Sequence, residues 1–507
     1  MPTLPVRTIL SSAAMLSLLG AKAQKPNVVF ILADDLGIGD VSGINPRSRI
    51  ETPELDAMCR SGIVFTDAHA ASALSTPSRY GILTGRYCFR TALKEGVLNG
   101  FSAPLIAAGR PTVASMLSAC GYATACIGKW HLGWNWTYRE GGNKDVDYSL
   151  PITEGPTTRG FDYFYGTAGS LDMPPYVWVE NDRATSIPDR TAPEGKAYKL
   201  LRPGPQAPDF EPIDVLPDLT AKAIEYIKGQ KGSGKPFFLY VPLTAPHTPI
   251  LPTPEWQGKS RLIQYGDFVM MLDNMVGQIV AALKKSGQYD NTIVVFTSDN
   301  GCYPGAGVNE MERKGHYPSY IYRGFKSDIY EGGHRIPLIL TWGKKVKHRT
   351  EKGLVSLIDL YATLADMAGH RMSQSEGEDS YSFWPLLKGK GAPAREDAVF
   401  SSGDGSFSIR EGDWKLIFCA GSGGWGYPSL PRDRDYIATQ PKMQLYNLKD
   451  NPEETRNLVG EHPGIVERLS AKMRRYILDG RSTPGEKQTN ETTDKEWKQT
   501  ALFMQTI

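Results

Sequence analysis

The chain has 507 residues, 40% hydrophobic and 22% charged, with 57 basic against 55 acidic side chains and a formal net charge of +2. That length suits one large domain with a smaller companion. Ordinary composition excludes a fibre, a coiled coil and a disordered chain, and without a basic excess no nucleic-acid partner is expected.

The N-terminus reads as a secretory signal. Arg7 supplies a basic start, Ile9 to Leu19 form a short apolar stretch, and Ala21-Lys22-Ala23 offers a small-x-small cleavage pattern. Residues 1–23 are therefore expected to be removed, and the mature protein to be exported. The stretch is too short to span a bilayer comfortably, and no membrane span is expected. Six cysteines (Cys59, Cys88, Cys120, Cys126, Cys302 and Cys419) show neither a C-x-x-C pair nor zinc-type spacing, and their pairing stays open.

The first apolar run, Asn27 to Leu32, is continuous, as in a strand buried on both faces of a parallel sheet. It ends in Asp34-Asp35. Pro236 to Val241 repeats the pattern and leads to Pro246-His247; Thr292 to Thr297 leads to Asp299-Asn300; Ile336 to Trp342 is a fourth candidate. Helical spacing over Phe268–Leu283 and Val113–Leu117 lies between these runs. Alternating strands and helices predict an α/β domain with a largely parallel sheet, here residues 24–395. Ligands of such sheets bind beyond the carboxyl ends of the strands, where the acids and the histidine fall. After about residue 395 the texture changes. Short strands over Ser406–Ile417 and at Leu445–Leu448, then an amphipathic helix over Val466–Ile477, predict a smaller α+β subdomain, residues 396–507. Its tail, Arg481 to Lys498, is polar and expected on the surface.

Asp34, Asp35, Asp299 and Asn300 are hard oxygen ligands, which suit Ca²⁺ better than Zn²⁺, with Mg²⁺ the lesser choice. Taken singly, each of these strand ends reads more readily as a turn or a cap. Ser75-Thr76-Pro77-Ser78-Arg79, continuing to Leu83-Thr84-Gly85-Arg86, reads structurally as a helix start, with Ser75 as N-cap and Arg79 solvated.

That segment also resembles the maturation signature of the type I sulfatases, whose first residue is oxidised to formylglycine. Further matches follow in family order: Asp34-Asp35, Gly128-Lys129-Trp130-His131-Leu132-Gly133, Pro246-His247, Asp299-Asn300-Gly301, Gly324-Phe325-Lys326 with Tyr330-Glu331-Gly332-Gly333, and Leu445-Tyr446-Asn447-Leu448. The chain is most similar to the arylsulfatase A and N-acetylgalactosamine-6-sulfatase branch and its bacterial relatives. The resemblance implies an alkaline-phosphatase-like fold and a sulfuric ester hydrolase. It implies one Ca²⁺ held by Asp34, Asp35, Asp299, Asn300 and the modified Ser75. Arg79, Lys129 and Lys326 would hold sulfate, His247 (with Lys326) would protonate the leaving oxygen, and His131 would take a proton from the second hydroxyl of the hydrated aldehyde. Serine at position 75 implies a bacterial protein matured by a serine-type radical-SAM enzyme, with a periplasmic or outer address. The branch implies exo-action on 6-sulfated galactose or N-acetylgalactosamine in a sulfated glycan, such as glycosaminoglycan or mucin. His334 and Arg335, just after Glu331-Gly332-Gly333, are candidates to reach the sugar; Trp134, Trp136 and Tyr163 are candidates to stack on it, and each of these aromatics reads at least as well as a core or loop anchor. Two alternatives remain at this point: a phosphoester or phosphonate hydrolase of the alkaline phosphatase superfamily, and a non-catalytic sulfated-glycan binder.

Overall fold

The apolar run Asn27–Ala33 forms a strand buried at every residue after Asn27, as a strand covered on both faces must be. It is central to a ten-stranded sheet. In the computed structural model, which describes residues 25–139, 145–192, 201–391, 395–491 and 497–504, the strands in chain order are β1 (Asn27–Ala33), β2 (Ile63–Phe65), β3 (Ala123–Lys129), β4 (Tyr163–Thr167), β5 (Val179–Glu180), β6 (Arg183–Ala184), β7 (Phe237–Pro242), β8 (Thr292–Ser298), β9 (Leu338–Trp342) and β10 (Arg349–Glu351). The expected signal peptide lies outside the described residues. Spatial order is β10-β2-β9-β8-β1-β7-β3-β4-β5-β6. From β8 to β4 all neighbours are parallel. β9 runs antiparallel to both β8 and β2, so the fourth expected strand exists but points the other way.

Helices α1 (Pro53–Ser61), α2 (Ser75–Thr84), α3 (Val113–Ala119), α4 (Val215–Gly229), α5 (Gln264–Lys285) and α6 (Leu360–Ala368) flank the sheet. They pack in two groups, α5 with α1 and α4, and α6 with α2 and α3. α5 is long and apolar enough to cross a membrane, but 72% of its apolar window is buried; core packing accounts for its composition. All six cysteines are free thiols.

The smaller unit is an antiparallel meander of β11 (Asp397–Ser401), β12 (Phe407–Glu411), β13 (Trp414–Ile417) and β14 (Gln444–Asn447). Gly412, at φ 57, turns β12 into β13. α7 (Pro463–Leu478) covers β12 and β13 through Leu469 and Met473, which join a core with Phe407, Ile409, Leu416 and Leu445. The polar tail is more firmly fastened than expected. Arg481 and Ser482 are buried, Arg86 donates to the Thr489 carbonyl at 2.9 Å, and Asn490 donates to the Ile477 carbonyl at 2.7 Å.

Candidate active site

The parallel register sets β1 and β8 side by side, with Ala33 opposite Ser298. Their carboxyl ends therefore release Asp34-Asp35 and Asp299-Asn300 at one place. All four are buried. Asp35 accepts from Asn300 Nδ2 at 2.7 Å, and its backbone N–H donates to Asp299 Oδ1 at 3.2 Å.

Leu74, extended at φ −137 and ψ 151, caps α2, and Ser75 is its first helical residue, one position later than the structural reading had it. Ser75 Oγ lies 3.4 Å from both Asp34 Oδ1 and Asn300 Oδ1. One turn on, Arg79 is fully buried rather than solvated. It donates to Asp299 at 2.7 Å and to the Lys129 carbonyl at 3.1 Å. α2 ends at Gly85 (φ 64), where a Cβ would meet the Tyr361 side chain at 2.7 Å; this is the physical need for glycine in Leu-Thr-Gly-Arg.

β3 ends on Lys129, whose Nζ stands 2.7 Å from Asp34 Oδ2 and 3.4 Å from Ser75 Oγ. Lys326 Nζ stands 2.8 Å from the Asp35 carboxylate. Burial alone would raise the Asp34 pKa, but Lys129, His247 and Arg79 outweigh it and hold it at about 2. Burial opposes the Lys326 ammonium, yet Asp35 and Asp34 keep its pKa above the usual 10.5.

His131, after β3, and Asp35, after β1, have left-handed backbones at φ 56 and 68; strained non-glycine residues of this kind cluster at functional sites. His131 Nε2 lies 2.8 Å from the Leu98 carbonyl. A carbonyl only accepts, so Nε2 carries the proton and Nδ1, which has no partner, is a free acceptor. Burial, Lys129 and Arg79 push the His131 pKa well below 6.5, so the ring is neutral at pH 7. His247 Nδ1 donates to the Thr248 carbonyl at 2.5 Å, and Nε2 lies 3.6 Å from Asp35 Oδ2.

These groups open into a cavity of about 800 Å³ lined by Ser75, His131, His247 and Lys326. Residues that sequence reasoning missed complete its wall: Asp172, Arg202, Tyr303 and Trp425. Arg202 pairs with Asp172 Oδ2 at 3.2 Å, while the buried Asp172 Oδ1 has no hydrogen-bond partner.

The expected sugar-binding residues lie elsewhere. His334 is fully buried, stacked on Phe400 with ring centroids 4.0 Å apart. Arg335 pairs with Glu331 at 2.8 Å and Asp67 at 3.0 Å. Both belong to a polar network that joins the Glu331–His334 turn to Lys415 of β13. Trp134 and Trp136 are core residues, packed edge-to-face at 5.4 Å. Tyr163 stacks on Tyr226 at 6.2 Å and donates to Glu180. Aromatic residues look alike in sequence whether they pack or face solvent.

Asp34, Asp35 and His247 bring ligand atoms within 4.8 Å of one another. The three carboxylates of Asp34, Asp35 and Asp299 face three cations, Arg79, Lys129 and Lys326. The side chains alone are thus balanced, leaving room for a divalent cation with an anionic ligand. The donor set fits a hard ion.

Three cations and two histidines around one buried hydroxyl suit an ester whose acid part is a compact oxyanion. Comparison with known proteins identifies that oxyanion as sulfate: the family described as Sulfatase matches residues 26–370. The chain belongs to this family and is a sulfuric ester hydrolase, which sets aside the phosphoester and binder alternatives. N-acetylgalactosamine-6-O-sulfatase of Bacteroides thetaiotaomicron is 34% identical over 491 residues, covering 89% of this chain and 93% of that protein. Human arylsulfatase A is 32% identical over 475 residues, covering 90% and 88%. A solved Bacteroides thetaiotaomicron structure, described as a 6S-sulf protein in work on glycosaminoglycan metabolism, superimposes with TM-score 0.78 at 33% identity, covering 89% of this chain and 99% of its own.

Proposed function

We propose that the protein removes 6-sulfate from a terminal N-acetylgalactosamine or galactose residue of a sulfated glycan. The observation that carries the sulfate-ester chemistry of this reading is the position of Ser75, 3.4 Å from Asp34, Asn300 and Lys129 on the wall of the cavity that also presents His131 and His247. Residue 75 acts as formylglycine, made by a serine-type radical-SAM maturase. Asp34, Asp35, Asp299, Asn300 and residue 75 would hold one Ca²⁺. The ion would supply Lewis-acid polarisation of the sulfate, and the hydrated aldehyde at position 75 would supply the hydroxyl nucleophile.

The chain's own groups do the rest. Arg79, Lys129 and Lys326 concentrate positive charge where the sulfate oxygens gain negative charge. His247, fixed by its Nδ1–H to the Thr248 carbonyl, presents Nε2 to hold a proton for the departing sugar oxygen. His131 Nδ1 receives a proton when residue 75 returns to its resting form. Asp172 Oδ1, which makes no hydrogen bond and lies 4.0 Å from His247 Nδ1, accepts a sugar hydroxyl, and Arg202 steadies it.

The name of the Bacteroides thetaiotaomicron relative supports the sugar and the 6-position. Arg7, Ile9–Leu19 and Ala21-Lys22-Ala23 support an exported, periplasmic or surface address. The test is sulfate release, read by ion chromatography, from 6-, 4- and 3-sulfated N-acetylgalactosamine and galactose after co-expression with a serine-type maturase. Fastest release from a 6-sulfated sugar is expected; preference for another position overturns the assignment.

A further inference from the structure

Trp425 is 49% exposed although it lines the same cavity as Ser75. A single exposed aromatic is ordinary, but one that shares a cavity with the nucleophile and leads into further exposed apolar side chains marks a binding surface. Its position is tightly built. Gly426 donates to Asp328 Oδ1 at 2.7 Å, and Ile329 donates to the Ser422 carbonyl at 2.7 Å. A Cβ on Gly424 would lie 2.4 Å from the Ser327 backbone, and one on Gly426 2.2 Å from Asp328 Oδ2. Glycines on both sides of Trp425 thus let its loop press against the segment that carries Lys326. The indole packs edge-on against Tyr303, with centroids 5.8 Å apart. Beyond it the same stretch exposes Tyr427, Leu430 and Tyr436, at 60%, 60% and 46%, with the two tyrosine rings 5.6 Å apart.

We infer that Trp425, continued by Tyr427, is a platform for the saccharide unit linked to the sulfated residue, so that the enzyme prefers chains to free sulfated monosaccharides. This rests on the sulfated-glycan reading above. A pyranose has an apolar C–H face that covers an aromatic ring, and the platform is continuous with the cavity that takes the sulfated unit. A rigid indole binds at little entropic cost. Trp425, Tyr427 and Leu430 carry no charge and present ring and aliphatic faces, which suit a sugar ring; the charges of this stretch, Arg432, Asp433, Arg434 and Asp435, come after them in the chain.

The test compares kcat/KM of matured enzyme on a 6-sulfated monosaccharide and on a trisaccharide carrying the same residue at its non-reducing end. The readout is the trisaccharide-to-monosaccharide ratio. Trp425→Ala should lower it about tenfold, Trp425→Phe should retain most of it, and Tyr427→Ala should lower it a few-fold. A ratio unchanged in Trp425→Ala overturns the inference, and with a wild-type dimer that this variant dissociates it assigns the patch to a second copy. Equal losses on both substrates confine Trp425 to the sulfated unit and also overturn it. A wild type that turns over neither substrate while hydrolysing other sulfated sugars refutes the substrate reading itself, and the inference with it.

Discussion

Arg79 and Asp299 form an ion pair shut off from solvent, with Nε and Nη2 donating to one carboxylate oxygen at 3.0 and 2.7 Å. The pair ties α2 to the end of β8 and so fixes Ser75 against the acidic cluster. Arg79→Ala leaves a buried carboxylate without its partner, a loss of about 3–5 kcal/mol in denaturant unfolding. Arg79→Lys should recover only part, because an ammonium lacks the planar fork. A loss below about 1 kcal/mol in Arg79→Ala would contradict this role.

Ser75 behaves oppositely. Its hydroxyl contacts are long, 3.4 Å each, so in calcium-free, unmatured protein Ser75→Ala should shift stability by less than about 1 kcal/mol. Sulfate release should nonetheless fall by roughly 10⁴-fold or more. Residual turnover near wild type would show that position 75 is not the nucleophile.

His131→Ala should lower kcat by about 10²–10⁴-fold. Because burial and the neighbouring cations hold His131 neutral well below pH 6.5, the acid limb of the wild-type kcat profile should also lie below 6.5. A limb at the ordinary histidine value that disappears in the variant would contradict the assigned protonation state.

The polar network behind the site supplies a stability test. Burial and Glu331 raise the Glu454 carboxyl from 4.5 to about 7 although Lys415 opposes them. The folded state then keeps a proton that the unfolded state releases. Glu454's contribution is complete below pH 4.5 and is lost as pH rises through about 7. Glu454→Gln cannot ionise, so it should gain on wild type by on the order of 3 kcal/mol between pH 4.5 and 8. Parallel pH–stability curves would refute the raised pKa.

Calcium at a hundredfold excess over its dissociation constant should stabilise the protein by about 2.7 kcal/mol, and a chelator should reverse the shift. Asp35→Asn should weaken this response. A thermal midpoint indifferent to calcium would argue against a metal held by the four strand-end residues.

What was readable in the chain follows its local physics. Asp34, His247 and Asp299 were placed because each ends or follows a continuous apolar strand, and parallel strands deliver such ends to one edge. His334 and Arg335 were misplaced because nearness in sequence to Lys326 says nothing of direction: the Glu331–His334 turn carries them back toward Lys415 and Phe400. For Trp134 and Trp136 the sequence leaves stacking on sugar and core packing open, because patterning does not distinguish a packed indole from a free one; the structure shows the core alternative. Trp425 was overlooked because it reaches the cavity only through the folding of the connection between β13 and β14. Its one local signal is the run Gly423-Gly424-Trp425-Gly426, an aromatic residue with a glycine on either side.

The most direct test of the central claim is mass spectrometry of the tryptic peptide containing residue 75, after co-expression with a serine-type maturase. Loss of two hydrogens from Ser75, or the corresponding hydrate, is the expected result. An unmodified serine in a preparation that releases sulfate at full rate would contradict the account.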